Sequence, residues 1–448
     1  MLASADLDTT LNDLLEAPRW YVALSGGVDS TVLVHLLHDW CQIHPEAPPL
    51  AAIHVNHALQ AASDQWQAHC EQCCTALGLE CFSQRVEVSV GASVEAQARL
   101  ARYEAFETRL EPGEVLFLAH HLDDQVETFF LRLMRGAGLE GLAGMPASRA
   151  LGLGQLARPL LGTARDDIEQ YAAAHQLPCI EDPSNADVRH DRNYLRHEVL
   201  PMLSQRWPAY RRSVGRASGH LQVASQLLQD SLAPATGMTS VTGDPGVSLL
   251  NLVDVSGPVA SATLRARLRL WGLRVPDQAP LEEFLRQLRD AAPDASPRLQ
   301  WDGNILQRYR DAVYLMPEGH DIAPPAQPFT LTPQEHCDVA GVGVLSLQPT
   351  QGAGLALSPA DTLQVRWRSG GEQCRPSGRP AASLKKILQQ WHVPPWWRER
   401  LPLLYLDEEL LAVADLALCE SSRLAQAESD RQRWKLVWEK RPFSGLRD

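Results

Sequence analysis

Six residues, Ser25-Gly26-Gly27-Val28-Asp29-Ser30, constrain this chain more than any other stretch. They follow an apolar run, Trp20 to Leu24, that reads as a short buried strand, and they lead into Thr31-Val-Leu-Val-His-Leu-Leu-His38, which reads as an apolar helix. Strand, glycine turn and helix in that order gather backbone N–H groups and the positive end of a helix dipole around one concave point, which makes an anion cradle. Gly26 and Gly27 let the turn take positive φ and let a ligand approach the backbone, and the hydroxyls of Ser25 and Ser30 add donors. Phosphate is the matching guest. A Walker loop ends in Lys-Ser/Thr, whereas Val28-Asp29-Ser30 stands here. Because an acid repels a bare phosphate, Asp29 is expected to work through Mg²⁺ held against the phosphates.

The surrounding pattern supplies a scaffold for such a loop. Trp20–Leu24, Leu50–Asn56, Cys81–Val88 and Val115–His120 are short strand-like runs, and the stretches 31–40, 63–77 and 93–109 between them are helix-like. Alternation of this kind predicts a parallel sheet with helices on both faces, in which ligands sit at the carboxyl ends of strands. Ser25, the Asn56-His57 pair and the His120-His121 pair all fall at such ends. At 448 residues the chain has length for two to four domains. No run of about 18 uncharged apolar residues occurs, so no membrane span is expected. The N-terminus lacks a basic segment before an apolar one, so a cytoplasmic protein is expected.

The second dense motif is His120-His121-Leu-Asp123-Asp124-Gln-Val-Glu127-Thr128. Asp124 and Glu127, three apart, share one helical face. A capping box accounts for those two acids but not for the histidines or Asp123. A carboxylate cluster facing the phosphate loop, able to hold Mg²⁺ or a cationic substrate, accounts for all of them. A third motif follows, Glu181-Asp-Pro-Ser-Asn185 and then Arg192-Asn-Tyr-Leu-Arg196. Arg192 and Arg196 stack on one face, and their guanidinium forks suit phosphate and the charge that develops on it.

Nine cysteines, five of them in the first quarter, are too scattered for a disulfide framework. Cys70-Glu-Gln-Cys73, with Cys74 beside it, has a metal-like spacing, but no second C-x-x-C follows and the segment reads as an amphipathic helix, so core packing is the expectation.

The formal charge of −13 argues against indiscriminate nucleic-acid binding. Two local stretches oppose that balance: seven arginines against three acids between Asn185 and His220, and eight Lys/Arg against two acids between Gln364 and Arg400, with Trp367, Trp391, Trp396 and Trp397 interleaved. Basic, partly aromatic patches on an acidic body imply docking of a particular polyanion. The expected organisation is a catalytic domain over 1–216, a connecting helix and linker over 217–248 with a Pro/Gly/Thr/Ser-rich stretch from Ala233 to Gly246, a small, mainly helical unit over 249–318, and an α+β unit over 329–448.

Together these motifs, with His54-Val-Asn-His57, Arg135-Gly136, the C-terminal Gly370-Gly-Glu-Gln-Cys-Arg-Pro-Ser-Gly-Arg379, Leu384-Lys-Lys-Ile387, Val393-Pro-Pro-Trp396 and Leu401-Pro-Leu-Leu-Tyr405, resemble the bacterial tRNA(Ile)-lysidine synthase family. The likeness spans nearly the whole chain and is weakest in the middle unit. It implies an α/β fold in which a parallel-sheet PP-loop ATPase domain precedes a small helical and an α+β domain. It implies that ATP adenylates the wobble cytidine of tRNA(Ile) with a CAU anticodon, after which free L-lysine displaces AMP at C2. It further implies that Ser25, Gly26, Gly27, Val28, Asp29 and Ser30 hold ATP·Mg²⁺, that Asp124 and Glu127 hold lysine, that Arg192 and Arg196 serve the adenylate phosphate, and that Arg366, Arg368, Arg379, Lys385, Lys386, Trp396 and Arg398 contact tRNA. A homodimer is left open. Two positions depart from the family pattern: His57-Ala58 stands where His-Gly is frequent, and Ala414-Asp415 replaces a Gly-containing turn. The rival readings are a PP-loop tRNA thiolase, which would use Cys70, Cys73 or Cys74, and a non-catalytic RNA-binding module.

Overall fold

The structure, a computed structural model, describes residues 2–440 apart from 61, 88–93, 183–186, 236, 293, 317–321, 334, 352, 358–360 and 421–431. Val88 of the third expected strand and Pro183, Ser184 and Asn185 of the third motif therefore lie outside the described residues. The chain divides into two compact units, Met1–Gln226 and Leu227–Asp448.

The first unit opens with a short α1 (Asp8–Asn12) and then alternates β1 (Trp20–Ala23), α2 (Val28–Ile43), β2 (Leu50–Asn56), α3 (Ser63–Ala76), β3 (Glu80–Arg85), α4 (Val94–Arg109), β4 (Val115–Phe117) and α5 (Leu122–Met134). After α6 (Leu139–Leu142), a hairpin of β5 (Ser148–Leu151) and β6 (Gly154–Ala157) completes a six-stranded sheet of order β3-β2-β1-β4-β6-β5. All neighbours are parallel except β5 with β6. Trp20 stands opposite Leu50 on one side and Val115 on the other. The chain first winds from β1 to β2 and β3, then returns to place β4 on the other flank of β1. The carboxyl ends of β1 and β4 thus form a topological switch point, where loops diverge and leave a crevice.

Both faces of this sheet are covered, so its central strands read as continuous apolar runs. On one face Trp20 packs against Trp40 at 5.5 Å and edge-on against Phe117 at 5.3 Å, joined by Val32, Leu33 and Leu36 of α2. On the other, Tyr21, Ile53 and Leu116 meet Phe106 of α4. Cys70 and Cys74 are buried in the first cluster. Beyond the sheet come α7 (Arg165–Ala174), α8 (Asp191–Tyr194), a π-helical turn over Leu195–Val199, α9 (Leu200–Arg206) and the long α10 (Tyr210–Ala235).

In the second unit, helices Gly257–Leu270 and Gln278–Asp290 pack through Leu264, Phe284 and Leu285 on a five-stranded antiparallel sheet. The sheet includes the hairpin Gly237–Thr239 and Pro245–Ser248. The stretch expected as a linker, Ala233 to Gly246, is therefore partly sheet. Its Gly, Pro and Thr residues mark a tight turn, and Pro245 takes the first strand position, where it costs no interior ladder bond. The C-terminal part is antiparallel β with helix Leu384–Gln390, around a core holding Trp397, Trp434 and Trp438. No helix among the described residues is long and apolar enough to cross a membrane.

Candidate functional site

The glycine loop is held open by its own hydroxyls. Ser25 N–H donates to Ser30 Oγ at 3.1 Å, the two serine hydroxyls lie 3.0 Å apart, Ser30 Oγ donates to Gly27 O at 3.0 Å, and Thr31 Oγ1 donates to Gly26 O at 3.3 Å. These bonds close the turn from inside while Gly27 caps the sixteen-residue α2, whose N-terminal amides face outward. Gly26 has φ +85°, and a β-carbon there would meet Ile180 Cδ1 at 2.9 Å and Cys70 Sγ at 3.2 Å. Both the conformation and the space demand glycine.

The loop opens into a cavity of about 1520 Å³ whose wall includes Asp29, His54, Arg102, Asp124, Arg192 and Arg196. The switch point brings α5, which follows β4, against α2, which follows β1. His121, 1% exposed, lies 3.7 Å by Nε2 from Asp29 Oδ1, 3.5 Å from Asp124 Oδ2, and 3.9 Å by Nδ1 from Asp123 Oδ2. Burial alone would depress its pKa, but Asp29, Asp124 and Asp123 together outweigh burial and hold it above the ordinary value, so the imidazolium form is favoured. The adjacent His120 goes the other way. Burial, aided by Arg158, Arg192 and Arg99 against Asp124, pushes it down to about 4, and it stays neutral.

Asp124 and Glu127 do share a face. The capping-box bond is present, His121 N–H to Asp124 Oδ2 at 3.0 Å, so the structural role and the clustering of charge coexist. Burial opposes ionisation of Asp124, yet the charges of His121 and Arg192, with the His121 N–H bond, prevail and hold its carboxyl below the usual range. Glu127 is 1% exposed and meets two guanidiniums: Arg192 Nε donates to Oε2 at 2.6 Å, Arg196 Nε to Oε1 at 2.6 Å and Arg196 Nη2 to Oε2 at 3.0 Å. Arg192 Nη2 also donates to Asp124 Oδ1 at 2.9 Å. Asp123 faces away, receiving Arg165 N–H at 3.0 Å and pairing with Arg211 Nε at 2.6 Å. Arg211 belongs to the basic stretch between Asn185 and His220 and Arg165 to no motif, and only the fold, by bringing α10 and α7 to α5, pairs them with Asp123.

Asp29 Oδ1 is buried, with His121 Nε2 3.7 Å away and no hydrogen-bond partner among the described residues. A carboxylate oxygen without a hydrogen bond beside phosphate-binding amides has coordination left for a hard cation, so the residues fit Mg²⁺ carried by a polyphosphate, with a single protein carboxylate as ligand.

Burial pushes the Cys70 thiol up to about 12, and the Cys73 thiol also stands above its ordinary value. Thiols so held are poor nucleophiles at neutral pH.

The seven residues expected to touch RNA separate into two groups. Arg379, Lys385 and Lys386 are exposed. Arg366 is tied to Glu408 at 2.9 Å and lies over the Tyr405 ring at 4.6 Å, and Arg368 lies 3.8 Å from Glu372. Arg398 donates to Val393 O at 2.9 Å and to Tyr309 Oη at 3.0 Å, while Trp396 packs edge-on to Tyr309 at 6.0 Å. Beside them Trp397 Nε1 donates to the buried Asp244 at 2.6 Å. Trp396, Trp397 and Arg398 join the C-terminal part to the middle sheet, whereas Arg366 and Arg368 pair within the C-terminal part. Their basic and aromatic character in sequence does not separate packing from RNA contact.

The two departures from the family pattern share one geometry: Ala58 has φ +52° and Ala414 φ +48°. Both alanines occupy the left-handed region that glycine takes without strain.

Comparison with known proteins finds three family models along the chain: a PP-loop domain over residues 3–203, a TilS substrate binding domain over 248–314 and a TilS substrate C-terminal domain over 363–438. Among similar curated proteins, the tRNA(Ile)-lysidine synthase of Pseudomonas syringae pv. tomato is 42% identical, covering 94% of this chain and 92% of its own. The enzyme of the same name from Pseudomonas aeruginosa is 41% identical, covering 94% of each, and that of Coxiella burnetii is 38% identical, covering 92% and 91%.

Proposed function

The chain belongs to the tRNA(Ile)-lysidine synthase family, and from that premise we propose that it joins free L-lysine to C2 of the wobble cytidine of tRNA(Ile) with a CAU anticodon, consuming ATP to AMP and pyrophosphate. The product base, lysidine, changes codon reading from AUG to AUA. The observation that carries the reading is the meeting of the phosphate loop with Asp124 and the arginine pair in one cavity, with His121 buried against Asp29 and Asp124. With tRNA, ATP and free lysine as substrates, the reaction belongs to the cytoplasm.

The chemistry follows from the charges. Ser25 to Ser30 cradle the polyphosphate, the loop amides and α2 dipole offset its negative charge, and Asp29 holds Mg²⁺, which when bound adds to that offset. The cytidine 2-oxo group is a poor leaving group. Attack by this oxygen on the α-phosphorus expels pyrophosphate and converts it to AMP, a good one. Arg192 and Arg196, which line the same cavity, offer the transferred phosphate two guanidinium forks. Asp124, ionised and held below the carboxylate range, suits binding and orienting an ammonium more than keeping its proton. A free ε-amine with pKa near 10.4 must lose a proton to attack, at about 4–5 kcal/mol at pH 7, and desolvation in the cavity lowers that cost. The exposed Arg379, Lys385 and Lys386 are proposed as tRNA contacts.

The test is mass spectrometry of unmodified CAU-anticodon tRNA(Ile) after incubation with the protein, Mg-ATP and isotopically labelled lysine. ATP-dependent label in the wobble nucleoside is expected. Sulfur in place of lysine, or no modification by folded protein, would overturn the reading.

A further inference from the structure

The carboxylates assigned above to lysine already hold cations. Both oxygens of Glu127 are engaged, Oε1 by Arg196 and Oε2 by Arg192 and Arg196, and Arg192 spans to Asp124. The two guanidiniums and Asp124 line the cavity of the phosphate loop, whereas Glu127 does not reach its wall. An incoming ammonium would seek the same oxygens that the arginines occupy. A guanidinium fork, however, matches a phosphate as well as it matches a carboxylate, and the phosphate brings more negative charge.

The segment that carries the arginines departs from regular helix geometry. Arg192 lies on the four-residue α8, and Arg196 lies in the π-helical turn Leu195–Val199, a wide turn of a kind that recurs at functional sites. Both belong to one unbroken helical stretch, 191–206, so a change of partner asks for side-chain rotation and not for refolding of the backbone.

We propose that Arg192 and Arg196 are exchange ligands. Without nucleotide they cover Asp124 and Glu127 and exclude lysine; when ATP enters the loop they transfer to its phosphates and release the two carboxylates for the lysine ammonium. This rests on the reading that Asp124 and Glu127 bind lysine. The exchange makes nucleotide a condition of lysine binding, so the amine site forms only where there is a phosphate to be displaced. Because coupling between two bound ligands is reciprocal, lysine must also tighten nucleotide binding by the same factor.

Equilibrium dialysis of the full chain with radiolabelled L-lysine, with and without Mg²⁺ and an α,β-methylene analogue of ATP, tests this. The lysine Kd is expected to fall at least about 10-fold when the analogue is bound, within the roughly 5–150-fold span of coupled sites, and saturating lysine is expected to lower the analogue's Kd equally. Arg196→Ala is expected to tighten lysine in the absence of nucleotide and to bring the ratio of the two Kd values toward one. If Arg196→Ala instead weakens lysine under both conditions, the arginine binds lysine itself and the exchange is wrong. Equal lysine affinity with and without the analogue in the unaltered protein overturns the exchange and leaves the lysine site standing. No lysine binding in either condition, with the analogue demonstrably bound, overturns the site as well.

Discussion

His121 Nε2 stands 3.7 Å from Asp29 Oδ1, joining the residue that follows the glycine loop of β1 to the residue that caps the helix after β4. The two are far apart in the chain and meet only because β1 and β4 are sheet neighbours. The buried His121 is flanked by carboxylates on two sides, which raise its pKa against the effect of burial. Replacing it with the neutral His121→Asn leaves Asp29 and Asp124 facing each other across the crevice. Pyrophosphate exchange into ATP in the presence of tRNA is expected to fall at least about 100-fold, the scale of losing one electrostatic partner at a reacting phosphate. Exchange within a few-fold of the unaltered protein would show that His121 is only a packing residue.

His120 gives a pH dependence of opposite origin. Its pKa of about 4 in the folded chain lies below the unfolded value near 6.5, so the unfolded state takes up the proton first as pH falls. The stability it supports is complete above about pH 6.5 and is lost as pH falls toward 4, by at most roughly 3 kcal/mol and less after solvent screening. His120→Gln is expected to flatten the fall in thermal midpoint between pH 7 and pH 5, measured by circular dichroism. An unchanged slope would assign the acid sensitivity elsewhere.

The two left-handed alanines predict gains. Ala58→Gly and Ala414→Gly each relieve about 1–2 kcal/mol of left-handed strain while adding about 0.5–1 kcal/mol of unfolded-chain entropy, for a net stabilisation of about 0.5–1 kcal/mol. Urea unfolding of each single variant checks this, and a lowered midpoint would contradict it.

At the glycine loop the prediction is a loss. Gly26→Ala must take φ +85° and push Ile180 and Cys70 aside, so nucleotide affinity measured by calorimetry is expected to drop at least about 10-fold. Retained affinity would mean that the loop amides do not hold the phosphates.

On the C-terminal part, alanine at Lys385, Lys386 and Arg379 is expected to weaken tRNA binding and reduce the slope of log K against log salt by about 0.7–0.9 for each phosphate that the removed side chain would neutralise. Arg398→Ala, which removes bonds to Tyr309 and Val393, is expected to lower the thermal midpoint with little change in that slope. Filter binding across a salt series, paired with thermal scans, separates the two. A reduced slope for Arg398→Ala with an unchanged midpoint would reverse its role.

The sequence by itself determined the local pieces. An apolar run, paired glycines and an apolar helix permit little besides a strand–loop–helix anion site, and β2 spans Leu50–Asn56 as its pattern of Val, Ile and Ala indicates. Asp124 and Glu127 share a face because helical spacing requires it. What only the tertiary structure decided is which pieces meet. Strand order brings His121 to Asp29, the packing of α10 and α7 on α5 brings Arg211 and Arg165 to Asp123, and the partnership of Glu127 with Arg192 and Arg196 spans a sequence gap that no local period encodes. The same holds for Arg398 and Trp396, which in sequence are indistinguishable from RNA-contacting residues and in the fold form a seam with Tyr309. The physical reason is range. Backbone sterics and side-chain period act over a few residues and leave their mark on the sequence, whereas ion pairs and burial are set by whatever distant segment the sheet order delivers.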